Sequence, residues 1–325
     1  MKRTLLLTAA ALALTAVGAQ AQGNYPQRPI TLVVPFAAGG PTDVIARIVG
    51  DHMSRTLGQQ IVVENVAGAG GTTGMTRVSS ATPDGYTIGM GHMGTQGAAP
   101  ALYPNLKYDP VKDFVPVGVA AGTPIVIVAK KDFPAKDMKT FVDHVKANST
   151  KLNMAHAGVG SVSHTTGVLL SSVLDIKPTM VAYRGTGPAL NDLMSGQVDF
   201  MTDQIVNVAP QITGGNIKAY AIATPERSPA LPDLPTTKEA GLGNYEVSAW
   251  NAIFGPKALP KEIQTKLVDA LDKALDDETT KKRILDLGGV IPDKAGRTPA
   301  ALQKLVESEV ARWTPVLKAA GAVAQ

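Results

Sequence analysis

The chain has 325 residues, 44% of them hydrophobic but only 5% aromatic, with 32 glycines, 23 prolines and no cysteine. The lack of cysteine excludes disulfides, thiol nucleophiles, Cys–zinc sites and a lipid anchor on an N-terminal cysteine. Its 31 basic and 27 acidic residues are not clustered by sign, which argues against a nucleic-acid partner.

Residues 1–21 read as an export signal. Lys2 and Arg3 open it, Thr4 to Val17 is apolar and small, and Ala19-Gln20-Ala21 is a small-x-small cleavage site. The apolar run is too short to span a membrane, and no later run is long and charge-free enough. The mature chain is therefore expected to start near Gln22, in the periplasm, with a net charge of about +2 once Lys2 and Arg3 are gone. Without disulfides it depends on its core, and its length suggests two domains. Frequent Gly, Ala and Pro with few aromatics fit an α/β class.

Thr31–Val34 is apolar and β-branched without alternation, as in a strand buried on both faces. From Asp43, the residues Val44, Ile45, Ile48, Val49, Met53 and Leu57 recur at helical spacing, with Gly58 as the stop. The intervening Gly39-Gly40-Pro41 turn aims backbone amides at one point under a helix N-terminus, an arrangement that suits an anion. The alternative is an ordinary βα turn whose glycines serve geometry alone. A second strand is expected at Gln60–Val63, a glycine-rich turn at Gly68–Gly74 leading into a helix to about Ala81, and a third strand at Tyr86–Met90. This βαβαβ order implies a parallel sheet.

Ile125–Ala129 is a strand that carries the chain onward. A second βα series follows, with strands at Leu152–Ala155, Thr179–Ala182, Phe200–Thr202 and Ala219–Ala223, and helices at Met138–Ala147, from Val162, at Ala189–Ser195 and at Pro210–Gly214. Trp250–Phe254 reads as a second crossing strand before a helical tail whose leucine stripes are core packing. Two crossings, near 124 and 250, divide the chain into 22–123 plus 247–325, with 124–246 inserted. The glycine-rich loops at the strand ends (Ala37–Thr42, Gly91–Thr95, Gly158–Ser161 and Gly185–Pro188) then face a cleft between two α/β domains.

Other chemistry is weakly supported. Gly89-Met90-Gly91-His92-Met93-Gly94 matches GxGxxG but lies in the third βα unit without an acidic partner, so dinucleotide binding is not expected. Ser161 with His164 permits a secreted serine hydrolase, yet no GxSxG elbow surrounds the serine. The five histidines lack metal-ligand spacing, and neither a metal nor a cofactor is expected. His92 and His164 fall in loops expected to face the cleft. Asp203 ends a strand, placed either to accept from a ligand or to cap a helix. Arg184 either pairs with a carboxylate or points to solvent.

Several stretches together resemble the tripartite tricarboxylate transporter substrate-binding (Bug, or TctC) proteins. They are Val34–Asp43, Glu64-Asn65-Val66-Ala67-Gly68-Ala69-Gly70-Gly71, Asp84-Gly85-Tyr86-Thr87, Tyr108–Phe114, Gly160-Ser161-Val162-Ser163-His164, Tyr183–Leu190 and Gly196-Gln197-Val198-Asp199. The resemblance implies a periplasmic binding protein (Venus flytrap) fold of two α/β domains. It also implies a bound small carboxylate: a di- or tricarboxylate, an acidic amino acid or an aromatic acid. The expected contacts are Phe36, Ala38, Gly39, Gly40 and Thr42 from the first domain, with His92, Gly94 and Thr95 in the loop after the third strand. Gly158, Ser161, His164, Tyr183, Gly185 and Asp203 are expected from the second. The implied partners are the membrane permease subunits of such a transporter, with a membrane sensor kinase as an alternative, and the receptor is expected to act as a monomer rather than as an enzyme.

Overall fold

The computed structural model describes residues 25–322; the export signal expected at 1–21 lies outside them. The first βα unit forms where expected: β1 (Ile30–Val34) leads into α1 (Pro41–Leu57), which Gly58 ends in a left-handed conformation. Then come β2 (Ile61–Asn65), α2 (Thr72–Ser79) and β3 (Thr87–His92). The three strands pair in parallel, with β1 in the middle.

β3 is followed by one wide π-type turn, Met93–Ala98, and a short α3 (Ala99–Leu102), where the sequence suggests only a loop. The turn is held by a reciprocal cap. Thr95 N–H donates to His92 Nδ1, and His92 N–H donates to Thr95 Oγ1, each at 3.1 Å.

β4 is the long element. It runs over Phe114–Lys130, 17 residues, well before the expected start at Ile125. Pro116, Gly118, Gly122 and Pro124 disguise its first half in sequence, because prolines and glycines ordinarily interrupt strands. Here two register shifts in the pairing with β9 (Ser248–Pro256), one between Pro116 and Gly118 and one between Val119 and Ala121, absorb the irregularity.

The second series is α4 (Met138–Asn148), β5 (Asn153–His156), α5 (Val162–Leu174), β6 (Thr179–Ala182), α6 (Thr186–Met194), β7 (Phe200–Gln204), α7 (Ile205–Thr213) and β8 (Ile217–Ile222). Helix α7 starts five residues before the expected Pro210 and carries that proline inside it. The tail forms α8 (Lys261–Asp276), α9 (Glu278–Asp286) and α10 (Pro299–Ala319).

The strand order is β2-β1-β3-β9-β4-β7-β5-β6, with β8 also on β4. β4 pairs with β9 as far as Pro124, and from Ile125 with β7 and β8. One strand thus belongs to two sheet regions and changes partners at Pro124. Helices cover both faces, making three layers. One core joins Ile45 and Val49 of α1 to Leu267 and Leu271 of α8, and the other joins Met75, Phe141 and Leu170 to Val306 and Trp313.

Trp313 ties the last helix to the Met93–Ala98 turn. It is 1% exposed, its Nε1–H donates to Glu309 Oε2 at 2.7 Å, and both residues pack against Gly97. We expect Trp313→Ala to lower stability by about 3–5 kcal/mol in urea unfolding. A loss below about 1 kcal/mol would show that this contact is not holding the turn.

Candidate functional site

Parallel strands deliver their following helices to one end of the sheet. After β1 the chain turns at Gly39, φ +83°, and α1 opens from Gly40 with Pro41 in its first turn. After β5, Ser161 caps α5, its Oγ accepting from His164 N–H at 3.2 Å. After β6, Gly185 precedes α6, which begins at Thr186. These helix starts face one another: a Cβ on Gly40 would lie 3.4 Å from Thr186 Oγ1 and 3.6 Å from Gly187 N.

Between them is a small cavity of about 20 Å³. Gly40, Pro41 and Thr42 line it from α1, and Ser161, Val162 and Ser163 from α5. Thr186 of α6, with Phe36, His92, Ala157 and Gln204, completes the wall. First-turn amides have no acceptor within their own helix, and each helix N-terminus carries a partial positive charge. Three such ends surround the cavity, and none of the eleven lining residues is Asp, Glu, Lys or Arg. A small anion is the occupant that these groups satisfy.

Neighbouring groups fix this geometry. Asp43 accepts from Gly39 N–H at 3.0 Å, from Arg47 through two nitrogens and from Asn65 Nδ2 at 2.9 Å. Burial pushes its pKa up, but these hydrogen bonds and the Arg47 charge outweigh burial and hold the carboxyl below its usual range. The Ala37 amide donates to Arg184 O at 3.0 Å, and Tyr103 Oη donates to Val159 O at 2.7 Å. The backbones meet closely here. A Cβ at Gly70 would collide with the Val159 carbonyl, and one at Gly94 with that of Gly160.

His92 is 2% exposed and stacks on Phe36, with ring centroids 4.8 Å apart. Because Nδ1 accepts the Thr95 amide, the ring proton of the neutral imidazole sits on Nε2. Burial lowers its pKa to about 4. His164 accepts from Gly160 N–H through Nδ1, and burial together with the neighbouring His156 ring lowers its pKa to about 3. Both are neutral donors at neutral pH.

Of the sequence-expected contacts, Phe36, Gly40, Thr42, His92 and Ser161 lie on the wall. Ala38 and Gly39 are exposed, and the Gly39 amide is engaged by Asp43, so neither reaches the cavity. Thr95 shapes His92 from behind, and Gly94 packs on the Gly160 carbonyl. Gly158 lies against Gly70, and Gly185 against Ala37. The Tyr183 hydroxyl turns away to Asp192 at 2.7 Å, and Arg184 stands outside on the exposed rim.

Asp203 is fully buried behind the wall. It accepts from Gln204 N–H at 2.8 Å, from Asn207 Nδ2 and from Thr186, and burial raises its pKa to about 7 in spite of these bonds. Thr186, Ser163 and Gln204 are not among the expected contacts, although Thr186 lies in the Gly185–Pro188 loop expected at the cleft and Ser163 in the Gly160–His164 stretch. Thr186 and Gln204 each directly follow a residue that was singled out, Gly185 and Asp203, and their place at a strand end was the available signal.

The hydrolase alternative lacks its geometry. Ser161 Oγ accepts from the His164 amide, and the ring Nδ1 of His164 is engaged by Gly160, so no base is aimed at the hydroxyl. The GxGxxG glycines serve close packing: a Cβ at Gly89 would meet Val78, and one at Gly91 would meet Phe254. Among the described residues no group of three or more His, Asp or Glu is placed to hold a metal, and no helix is long and apolar enough to cross a membrane.

An α/β sheet with helix N-termini closing on a cavity at its strand ends is the plan of a periplasmic binding protein, and solved structures share it. MatC from Rhodopseudomonas palustris, solved with bound malate, is 48% identical with a TM-score of 0.88, covering 90% of this chain and 100% of its own. The periplasmic binding protein BugD is 43% identical with a TM-score of 0.89, covering 93% and 100%. A protein of Agrobacterium vitis, encoded in the TAR-I ttuE–ttuC' intergenic region, is 45% identical over 303 residues, covering 93% of this chain and 87% of its own length. The model of the tripartite tricarboxylate transporter family receptor matches residues 45–322. The chain belongs to that family, whose members are periplasmic solute receptors and not enzymes.

Because His92 and His164 are buried and neutral, we expect neither ring to titrate between pH 8 and 5 in nitrogen-15 NMR. A His92 midpoint near the ordinary value of about 6.5 would contradict the buried donor tautomer. The sign follows from linkage. With folded-state pKa values of about 4 and 3, their contribution to stability is complete above pH 6.5 and is lost as pH falls toward those values.

Proposed function

We propose that this protein captures a small dicarboxylate, of the size of malate, and delivers it to the permease subunits of a tripartite tricarboxylate-type transporter. The observation that carries this reading is the wall itself: three helix N-termini, hydroxyls and neutral donors, with no fixed charge. A carboxylate there would gain hydrogen bonds from several first-turn amides, each worth roughly 1.5–3 kcal/mol when the acceptor is charged. The malate found in MatC supports the same ligand class.

In this reading the chain works as two lobes, 22–123 plus 247–325 and 124–246, hinged on β4 and β9 where β4 changes partners. The Ala37–Arg184 and Tyr103–Val159 bonds bridge the lobes in the closed form. The precursor is exported and cut near Ala21, and the receptor acts as a monomer.

A thermal-shift panel of mono-, di- and tricarboxylates, followed by calorimetry on hits, tests the assignment. Stabilisation by a dicarboxylate, with the ligand recovered intact by mass spectrometry, is the expected result. Failure of every carboxylate, or turnover of the ligand, would overturn it.

Gly40 gives a sharper check. Its backbone is extended, φ −86° and ψ 173°, so any residue fits locally, but a branched side chain would push into Thr186 and Gly187. We expect Gly40→Val to fold normally and to lose at least about 100-fold in affinity, since both amide approach and closure are blocked. Unchanged affinity by calorimetry would refute the cradle of amides.

A further inference from the structure

We infer that Gln204 reads the far end of the ligand, presenting its amide NH2 as a donor that Thr123 and Asn251 hold in place; this rests on the carboxylate-receptor reading above. Gln204 is the last residue of β7, is 3% exposed and lies on the cavity wall. Its Oε1 accepts from Thr123 Oγ1–H at 2.6 Å and from Asn251 Nδ2–H at 3.0 Å. Asn251 also reaches Thr123 Oγ1 at 3.3 Å, closing a buried triangle.

In the structure the oxygen of Gln204 faces Thr123 Oγ1 at 2.6 Å, a separation usual for O–H···O. With the carbonyl engaged by two donors, both hydrogens on Nε2 are left over, and among the described residues they meet no acceptor. The backbone of Gln204 is held as well, because its main-chain N–H donates to the Asp203 carboxyl at 2.8 Å.

A second donor stands close by. His92 is the direct cross-strand partner of Asn251 in the β3–β9 pairing, so the two side chains share a face. With Nδ1 of His92 held by Thr95, its Nε2–H is the free edge. The wall thus offers two neutral donors beyond the helix ends. A ligand's second carboxylate satisfies both. An ammonium group satisfies neither, and the buried carboxyl of Asp203, next to Gln204 in the chain, is closed off by Gln204, Asn207 and Thr186. The ligand class that follows is a dicarboxylate without an amino group, and Gln204 discriminates against acidic amino acids.

Thr123 and Asn251 lie on β4 and β9, the strands that join the two halves of the sheet, while Gln204 sits on β7. They act as positioning residues: they touch the reader and do not line the cavity.

The test is calorimetry of the wild type, Gln204→Leu, Gln204→Glu and Thr123→Val with L-malate, succinate and L-aspartate. The wild type is expected to bind malate or succinate at least tenfold tighter than aspartate. Gln204→Leu should weaken malate roughly 10- to 100-fold and narrow the malate-to-aspartate ratio, a change that a merely structural role would not produce. Gln204→Glu keeps the shape and replaces a donor with a negative charge. It should lose malate binding outright, and it decides the matter if Gln204→Leu does not fold. Thr123→Val should cost about 3- to 10-fold, with the preference order kept. Wild-type malate affinity in a folded Gln204 variant, or a wild type that prefers aspartate, would overturn the inference and leave the receptor reading standing. A wild type that binds no carboxylate at all would overturn both.

Discussion

The arrangement that everything else serves is the approach of like-signed helix ends. α1 arrives from the β1 side and α5 and α6 from the β5–β6 side, and the starts of all three line one small cavity. Each end carries roughly half a positive charge, so an empty closed cavity sets them against one another in a medium that screens poorly. An anion between them reverses the sign of that interaction. The direct hydrogen bonds across the gap join neutral groups, among them Ala37 to Arg184, Tyr103 to Val159, and Thr123 and Asn251 to Gln204. A bound anion is therefore what makes this meeting of like-signed helix ends favourable.

A second constraint is the exclusion of fixed charge from the wall. A lysine or arginine there would hold an anion of almost any shape. Oriented amides, hydroxyls and neutral imidazole instead require acceptor atoms at particular points, which turns binding energy into selectivity. The supporting charges are kept one layer back. Asp43, paired with Arg47 and Asn65, clamps Gly39 and so fixes the turn that aims α1. Asp203 does the same for Gln204 and Thr186. Each turn is held by its own hydrogen bonds, so the loops themselves need little ordering on binding.

Local chemistry in the chain settled much of this molecule. The unbroken apolar run Thr31–Val34, the periodic helix after Asp43 and the glycines at 39 and 40 specify a strand, an anion-suited turn and a helix start within a dozen residues, because each signal depends only on near neighbours. Gly40, Thr42, His92 and Ser161 lie in loops that position alone marks, whereas Phe36 is singled out through the family resemblance. Each lies at a strand end or in the loop that follows it, and in parallel sheets those ends converge.

What the sequence left undecided is whatever depends on partners far away along the chain. The first half of β4 hides behind two prolines and two glycines, and it is a strand only because β9 accepts its irregular register. Gly39 belongs to the glycine turn, yet Asp43 removes its amide from the cavity. Gln204 becomes a donor because Thr123, 81 residues away, and Asn251, 47 residues away, engage its carbonyl. Composition and periodicity determined the elements and the end of the sheet where a ligand belongs. Which atoms face that ligand was decided by tertiary contacts, since a side chain's free hydrogen-bonding edge is whatever its neighbours leave unengaged.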